Sequence, residues 1–233
     1  MFDKPDDTQR ARAARPRDAA TLVLVRKAGS GPEVLMGKRN AALKFMPGKY
    51  VFPGGRVDVS DVRLTHATDL RPEVLARLAI HGGEGRARAL ARAAVREMFE
   101  EAGLVIGRPA TAPPRSRSAG WTEFFGRGVE PDLQALTYVM RAITPPYRDR
   151  RFDTRFFIAD GTPYGDQITA PRSEKDELTE LSWFAIPDAM QLDLPSMTRV
   201  FLQHLQERGD SLHTDGPVPF YSFARGKGVM VHI

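Results

Sequence analysis

The sequence predicts an α/β protein, and three observations carry that expectation. Short apolar runs rich in β-branched residues recur at 19–25, 34–38, 50–52, 133–143, 155–159 and 178–184, with Gly- and Pro-containing turns between several of them. Two longer segments, 86–102 and 195–207, lack glycine and carry apolar residues at helical spacing. A chain of 233 residues with 42% hydrophobic side chains can also bury one sizeable core.

Taken in order, residues 1–17 hold mixed charge and no apolar run, and read as a flexible polar leader rather than a signal peptide. Residues 19–25 and 34–38 are separated by Gly29, Gly31 and Pro32, so they read as a hairpin with a turn over 27–33. A third short strand, 50–52, closes at Pro53-Gly54-Gly55. Residues 62–90 are polar and glycine-punctuated, with a helical pattern over 72–80. They read as an excursion from the domain and a candidate dimerisation element. Helix 86–102 should end at Gly103, which tolerates the left-handed backbone of a helix stop. A strand at 104–106, strands at 133–143, 155–159 and 178–184, a helix at 195–207 and an aromatic tail should follow. The expected organisation is a single domain over 18–233, with 187–233 as a C-terminal extension containing a helix.

Composition narrows the chemistry. There are no cysteines, which excludes a disulfide scaffold, a thiolate zinc site and a cysteine nucleophile. That fits a reducing compartment, and a cytoplasmic protein is the expectation. No window approaches the roughly 18 apolar residues of a membrane span. The net charge of +5 favours anionic ligands but is too small to signal nucleic acid.

The informative stretch is Arg96-Glu97-Met98-Phe99-Glu100-Glu101-Ala102-Gly103-Leu104. On a helix, Glu97, Glu100 and Glu101 fall within an arc of about 100°. Val95, Met98 and Ala102 share a neighbouring arc that can face a core. Three like charges that close repel each other, and burial worsens this. Arg96 reaches Glu100 at i+4 but does not neutralise all three. A hard divalent cation, Mg²⁺ or Mn²⁺, would suit such oxygen donors. The bland alternative is a solvated acidic helix face.

This stretch resembles the C-terminal half of the Nudix box, Arg-Glu-apolar-x-Glu-Glu-x-Gly-apolar, at every fixed position. Phe52-Pro53-Gly54-Gly55 is similar to the opening of the box. Asp61 stands where the compact box has Glu, and positions 62–95 stand where it has only seven residues. The extra residues follow Asp61 directly, and its role stays open. The resemblance implies an α/β/α sandwich with a mixed sheet, here with a helical insertion and a C-terminal helix. It implies hydrolysis of a nucleoside diphosphate linked to a group X. Glu97, Glu100 and Glu101 would bind Mg²⁺ or Mn²⁺, joined by the Gly55 carbonyl, and Arg96 would orient them through a salt bridge. Glu97 or Glu100 would take the proton from water, or a loop carboxylate beyond the box would do so, with Glu174 and Glu177 as candidates.

Residues 37–44 (GKRNAALK), leading into Phe52-Pro53-Gly54-Gly55, are similar to the motif that precedes the box in coenzyme A diphosphatases. They depart from it in Arg39-Asn40, where that motif has Arg-Ser, and in Leu43-Lys44, where it has Leu-Arg. Coenzyme A or an acyl derivative is therefore one expected substrate, beside other nucleotide-derived small molecules. Lys38, Arg39 and Lys44 could pair directly with phosphates. Arginines at 108, 115, 117, 141, 148, 150 and 151, with Trp121, Phe124, Phe125, Tyr147 and Phe152 nearby, leave an alternative: a non-catalytic nucleotide- or RNA-binding module on the same fold.

Overall fold

A computed structural model describes residues 14–29, 31–65, 67–111, 115–165, 167–168, 176–209, 217–224 and 227–233. The strands are β1 (Arg17–Ala28), β2 (Gly31–Arg39), β3 (Tyr50–Val51), β4 (Gly54–Arg56), β5 (Gly107–Pro109), β6 (Val129–Pro131), β7 (Thr137–Ile143), β8 (Phe152–Asp160), β9 (Leu178–Ala185), β10 (Pro219–Ala224) and β11 (Lys227–His232). The helices are α1 (Val59–Arg63), α2 (Pro72–Ala79), α3 (Gly83–Ala102), α4 (Ala119–Phe125), α5 (Ile186–Ala189) and α6 (Ser196–Arg208).

One mixed sheet runs β11-β10-β7-β8-β1-β2-β3, with β4 on β1 and β9 on β2. Its centre is a parallel pair in which Arg17–Val25 of β1 lies beside Phe152–Asp160 of β8. A strand in the middle of such a sheet buries both faces, and β1 does. Ala20, Leu22 and Leu24 join one core with residues of α2, α3 and α4. Val23 and Val25 join a second core with Ile186, Ala189, Phe201, Leu202 and Leu205 from α5 and α6. The result is a mixed α/β fold with helices on both faces of the sheet. Among the described residues, no helix is long and apolar enough to cross a membrane.

Several expected elements shift, each for a physical reason. The β1–β2 turn is tighter than 27–33, because Ala28 already pairs with Gly31. Helix α3 starts at Gly83, inside the glycine-rich stretch expected to be a loop. Arg88 bonds Glu84 at 3.0 Å and Asp69 at 2.8 Å, and Arg86 pairs with Asp18, so tertiary ion pairs outweigh weak local propensity. The strand expected at 104–106 is displaced. Leu104 and Ile106 are buried, but the ladder begins at Gly107, opposite Pro131. Residues 133–135 form a 3₁₀ turn capped by Asp132, so β7 starts only at Thr137. Helix α4 was not anticipated from sequence. The tail joins the sheet, with β10 parallel to β7 at Phe220–Arg141 and Tyr221–Ala142.

Gly103 ends α3 with φ 74°, and its N–H donates to the Phe99 carbonyl at 2.9 Å. A β-branched residue there would be strained in the left-handed region. Gly103→Val should therefore lower stability by about 1–2 kcal/mol, read from the shift in urea midpoint. An unchanged midpoint would contradict the assigned backbone role.

Candidate active site

The site begins with a gap in the sheet. β1 and β2 pair only through Val25–Ala28 and Gly31–Val34. Toward its N-terminal end, β1 pairs instead with β4, as Ala19–Arg56, Ala20–Gly55 and Thr21–Gly54. β2 continues with β3, as Gly37–Val51 and Lys38–Tyr50. Residues 50–56 thus fill the wedge between two diverging strands. Phe52 pins the wedge from the α6 side, its ring 5.3 Å from that of Phe201. The Leu22 N–H donates to the Pro53 carbonyl at 3.1 Å. Gly54 and Gly55 are then held against α3.

Arg96 ties this turn to the rest of the site. Its Nε donates to Asp61 Oδ1 at 2.9 Å and one terminal nitrogen donates to Oδ2 at 3.0 Å. That nitrogen also reaches the Arg56 carbonyl at 2.9 Å. The other terminal nitrogen lies 2.9 Å from Glu97 Oε1 and 3.0 Å from Glu100 Oε2. One planar guanidinium therefore joins β4, α1 and two carboxylates of α3, a fork geometry that lysine cannot reproduce. Its charged form is favoured: burial opposes it, but the bonds to Asp61 and the nearby Glu97, Asp61 and Glu100 charges more than offset this.

Asp61 is fully buried and every lone-pair direction is used. Beside Arg96 it accepts from Trp121 Nε1 at 2.9 Å and from the Asp58 N–H at 2.8 Å. The last bond closes a reciprocal cap on α1, with Asp58 accepting from the Ser60 N–H at 2.7 Å. Sequence reasoning left Asp61 without a role. The Asp58-x-x-Asp61 spacing was the available signal.

The three carboxylates divide. Glu101 Oε2 accepts from the Gly54 N–H at 2.9 Å. Gly55 lies so close to the Glu97 carboxylate that a Cβ would collide with it. Glu100 sits apart, bonded to Arg96, with its carboxylate against the Gly120 backbone where no Cβ would fit. Among the described residues, no three His, Cys, Asp or Glu side chains converge as a ready metal cage. Burial pushes Glu97 up to about 7; Arg96 opposes this and the Glu100 charge adds to it. Burial also holds Glu101 well above the carboxylate range, with help from the charges of Glu97 and Glu177. Two largely shielded carboxylates that resist ionisation, beside a glycine backbone with no side chain in the way, fit a hard divalent cation as donor set.

Other expected site residues are placed as follows. Arg39 lies 2.7 Å from Glu177 and donates to the Phe45 carbonyl at 3.0 Å. Both Arg39 and Glu177 act electrostatically on Glu101, so they border the same site. Lys38 pairs with Glu180 at 3.2 Å, and Lys44 is exposed on the turn between β2 and β3. Glu174 lies outside the described residues. The proposed aromatic–arginine RNA surface does not form as one unit. Trp121 and Phe124 are fully buried and Phe125 nearly so, Arg141 is buried against Asp153, and Arg108 pairs with Glu130.

No family model matches the chain. A Caenorhabditis elegans protein, "Putative nudix hydrolase 7", is 31% identical over 180 residues, covering 68% of this chain and 50% of that protein. The chain thus spans about half the length of that curated relative. The crystal structure of a NUDIX hydrolase from Alicyclobacillus acidocaldarius superposes with a TM-score of 0.67 at 28% identity, covering 87% of this chain and 99% of that one.

Two outcomes follow from the site. Asp61→Asn leaves Arg96 buried with its principal charge partner gone, and should cost about 3 kcal/mol in a denaturant titration. A midpoint equal to the parent's would contradict the clamp. The second concerns pH. Glu97 holds its proton more tightly folded than unfolded, about 7 against an ordinary 4.5. Its stabilising contribution is therefore present below pH 4.5 and is lost as pH rises through about 7. Metal-free protein should lose up to about 3 kcal/mol between pH 5 and 8, and Glu97→Gln should flatten that slope. Stability rising over the same range would contradict the assignment.

Proposed function

The chain belongs to the Nudix hydrolase family, and on that premise we propose that it hydrolyses a diphosphate bond in a nucleoside diphosphate linked to a second group. The observation that carries the reading is a pair of largely shielded carboxylates at the Gly54–Gly55 turn, Glu97 fixed by Arg96 and Glu101 by the Gly54 N–H. Glu97, Glu101 and the Gly55 backbone, with Glu100 beside them, would hold Mg²⁺ or Mn²⁺. When bound, such a cation neutralises diphosphate charge and lowers the pKa of water.

The side chains supply the rest. Arg96 fixes Glu97 and Glu100 relative to the turn. Glu100 and Glu177 are the accessible carboxylates, with side-chain exposures of 39% and 48%. Each is held by an arginine, Glu100 by Arg96 and Glu177 by Arg39, and these two are the candidate proton acceptors. Lys38, Arg39 and Lys44 provide positive charge for the phosphates on the β2 side. The partial match of residues 37–44 to the coenzyme A diphosphatase motif favours coenzyme A or an acyl derivative among the substrates.

The test is a panel of nucleoside-diphosphate compounds with Mg²⁺ and with Mn²⁺, products identified by mass. Turnover is expected to require the divalent ion. Replacing the true proton acceptor, as Glu100→Gln or Glu177→Gln, should lower kcat at least about 100-fold. Binding without turnover of any member would instead support a nucleotide-binding module.

A further inference from the structure

A second feature lies beyond the carboxylates. A cleft of about 860 Å³ opens between α1 with its following residues and the segment that leads into α4. Its lining includes Arg63, Arg115, Arg117, Ser60, Ser116 and Ser118. No ion pair is recorded for Arg63, Arg115 or Arg117 among the described residues. Many other arginines among the described residues, including Arg26, Arg39, Arg86 and Arg96, face carboxylates, and those that do not, such as Arg56, Arg148 and Arg150, do not line this cleft; what marks the cleft is that three such arginines gather on it. The lining's one acid, Asp58, is already committed to the Ser60 N–H. Ser60 Oγ is buried with no hydrogen-bond partner.

The arginine-bearing segment is anchored. Thr122 Oγ donates to the carbonyls of Ser116 at 3.1 Å and Ser118 at 2.8 Å, and the Ser118 N–H donates to Ser116 Oγ at 3.1 Å. The cleft also has an apolar element, since Val59 lines it and is 59% exposed. Both walls connect to the active site. α1 carries Asp61, the partner of Arg96, and α4 carries Gly120, against which Glu100 rests.

We infer that this cleft is a subsite for a phosphate monoester on the substrate, separate from the diphosphate that is cleaved. Arginine forks with neighbouring hydroxyls suit a dianionic phosphate, and Val59 suits the apolar body that bears it. The inference deepens the diphosphohydrolase reading and rests on it for the word substrate. It narrows the substrate class to diphosphates bearing a third, remote phosphate.

Binding separates the two ideas. Coenzyme A and dephospho-coenzyme A differ by one such phosphate. Their Kd values would be measured by calorimetry on the full chain in EDTA, which removes divalent-dependent turnover. The parent should bind coenzyme A about tenfold more tightly. The exposed double variant Arg115→Ala/Arg117→Ala, and separately Arg63→Ala, should bring the two compounds together by weakening coenzyme A alone. Equal binding of both compounds to the parent, or a preference that survives both variants, would overturn the subsite. Failure of the parent to hydrolyse any diphosphate with Mg²⁺ or Mn²⁺ would sink the catalytic reading instead, while the binding preference would still support the phosphate pocket.

Discussion

The buried pairing of Arg96 with Asp61 is the constraint on which the site depends. The two residues are 35 positions apart, with α2 and the start of α3 between them. Their bidentate contact returns the intervening chain to the place it left. A pair this buried is a weak source of net stability, because desolvation offsets much of the attraction. Its value is geometric. With two nitrogens on Asp61, the remaining donors are aimed at the Arg56 carbonyl, Glu97 and Glu100. Trp121 then makes the same carboxylate an anchor for α4.

The second constraint is the opening between β1 and β2. A hairpin paired along its whole length would leave no room for residues 50–56. Because pairing changes partner, from β2 to β4 along β1 and from β1 to β3 along β2, the Gly54–Gly55 turn is carried as part of the sheet. The absence of a side chain at Gly55 lets α3 bring Glu97 onto that turn, and at Gly54 it lets the turn lie flat against Ala20 and Thr21 of β1 while its N–H meets Glu101. The cost is electrostatic: both carboxylates are pushed toward their protonated forms by burial. That cost is what a bound cation would relieve.

Much of this was legible in the sequence, and the failures have physical causes. The helix carrying Glu97, Glu100 and Glu101, its stop at Gly103 and the turn at Pro53-Gly54-Gly55 are local features, set by periodicity and backbone freedom. Helix α6 and the central strands followed from the same signals. What sequence missed is tertiary. Gly83 and Gly85 lie in a helix because ion pairs to Asp18 and Asp69 hold it there. Trp121, Phe124 and Phe125, which in sequence stand only as aromatics near arginines, form a buried helix, since only the fold supplies Asp61 as a partner for the indole N–H. The three carboxylates looked equivalent on a helical wheel. The structure separates them because Gly54–Gly55 approaches one side of the arc and Gly120 the other. The shared position of Arg39 and Glu177 also depended on β2 pairing with β9, a long-range contact that no local pattern reveals.

The Arg96 fork, rather than its charge alone, sets the arrangement of Glu97 and Glu100 at the proposed cation site. The direct measurement is Mn²⁺ titration followed by electron paramagnetic resonance, comparing the parent with Arg96→Lys. Lysine keeps the charge but cannot span Asp61, Arg56, Glu97 and Glu100 together. The account predicts that Arg96→Lys, with its secondary structure checked by circular dichroism, binds Mn²⁺ at least about tenfold more weakly. Equal Mn²⁺ affinity in a folded Arg96→Lys protein would contradict it.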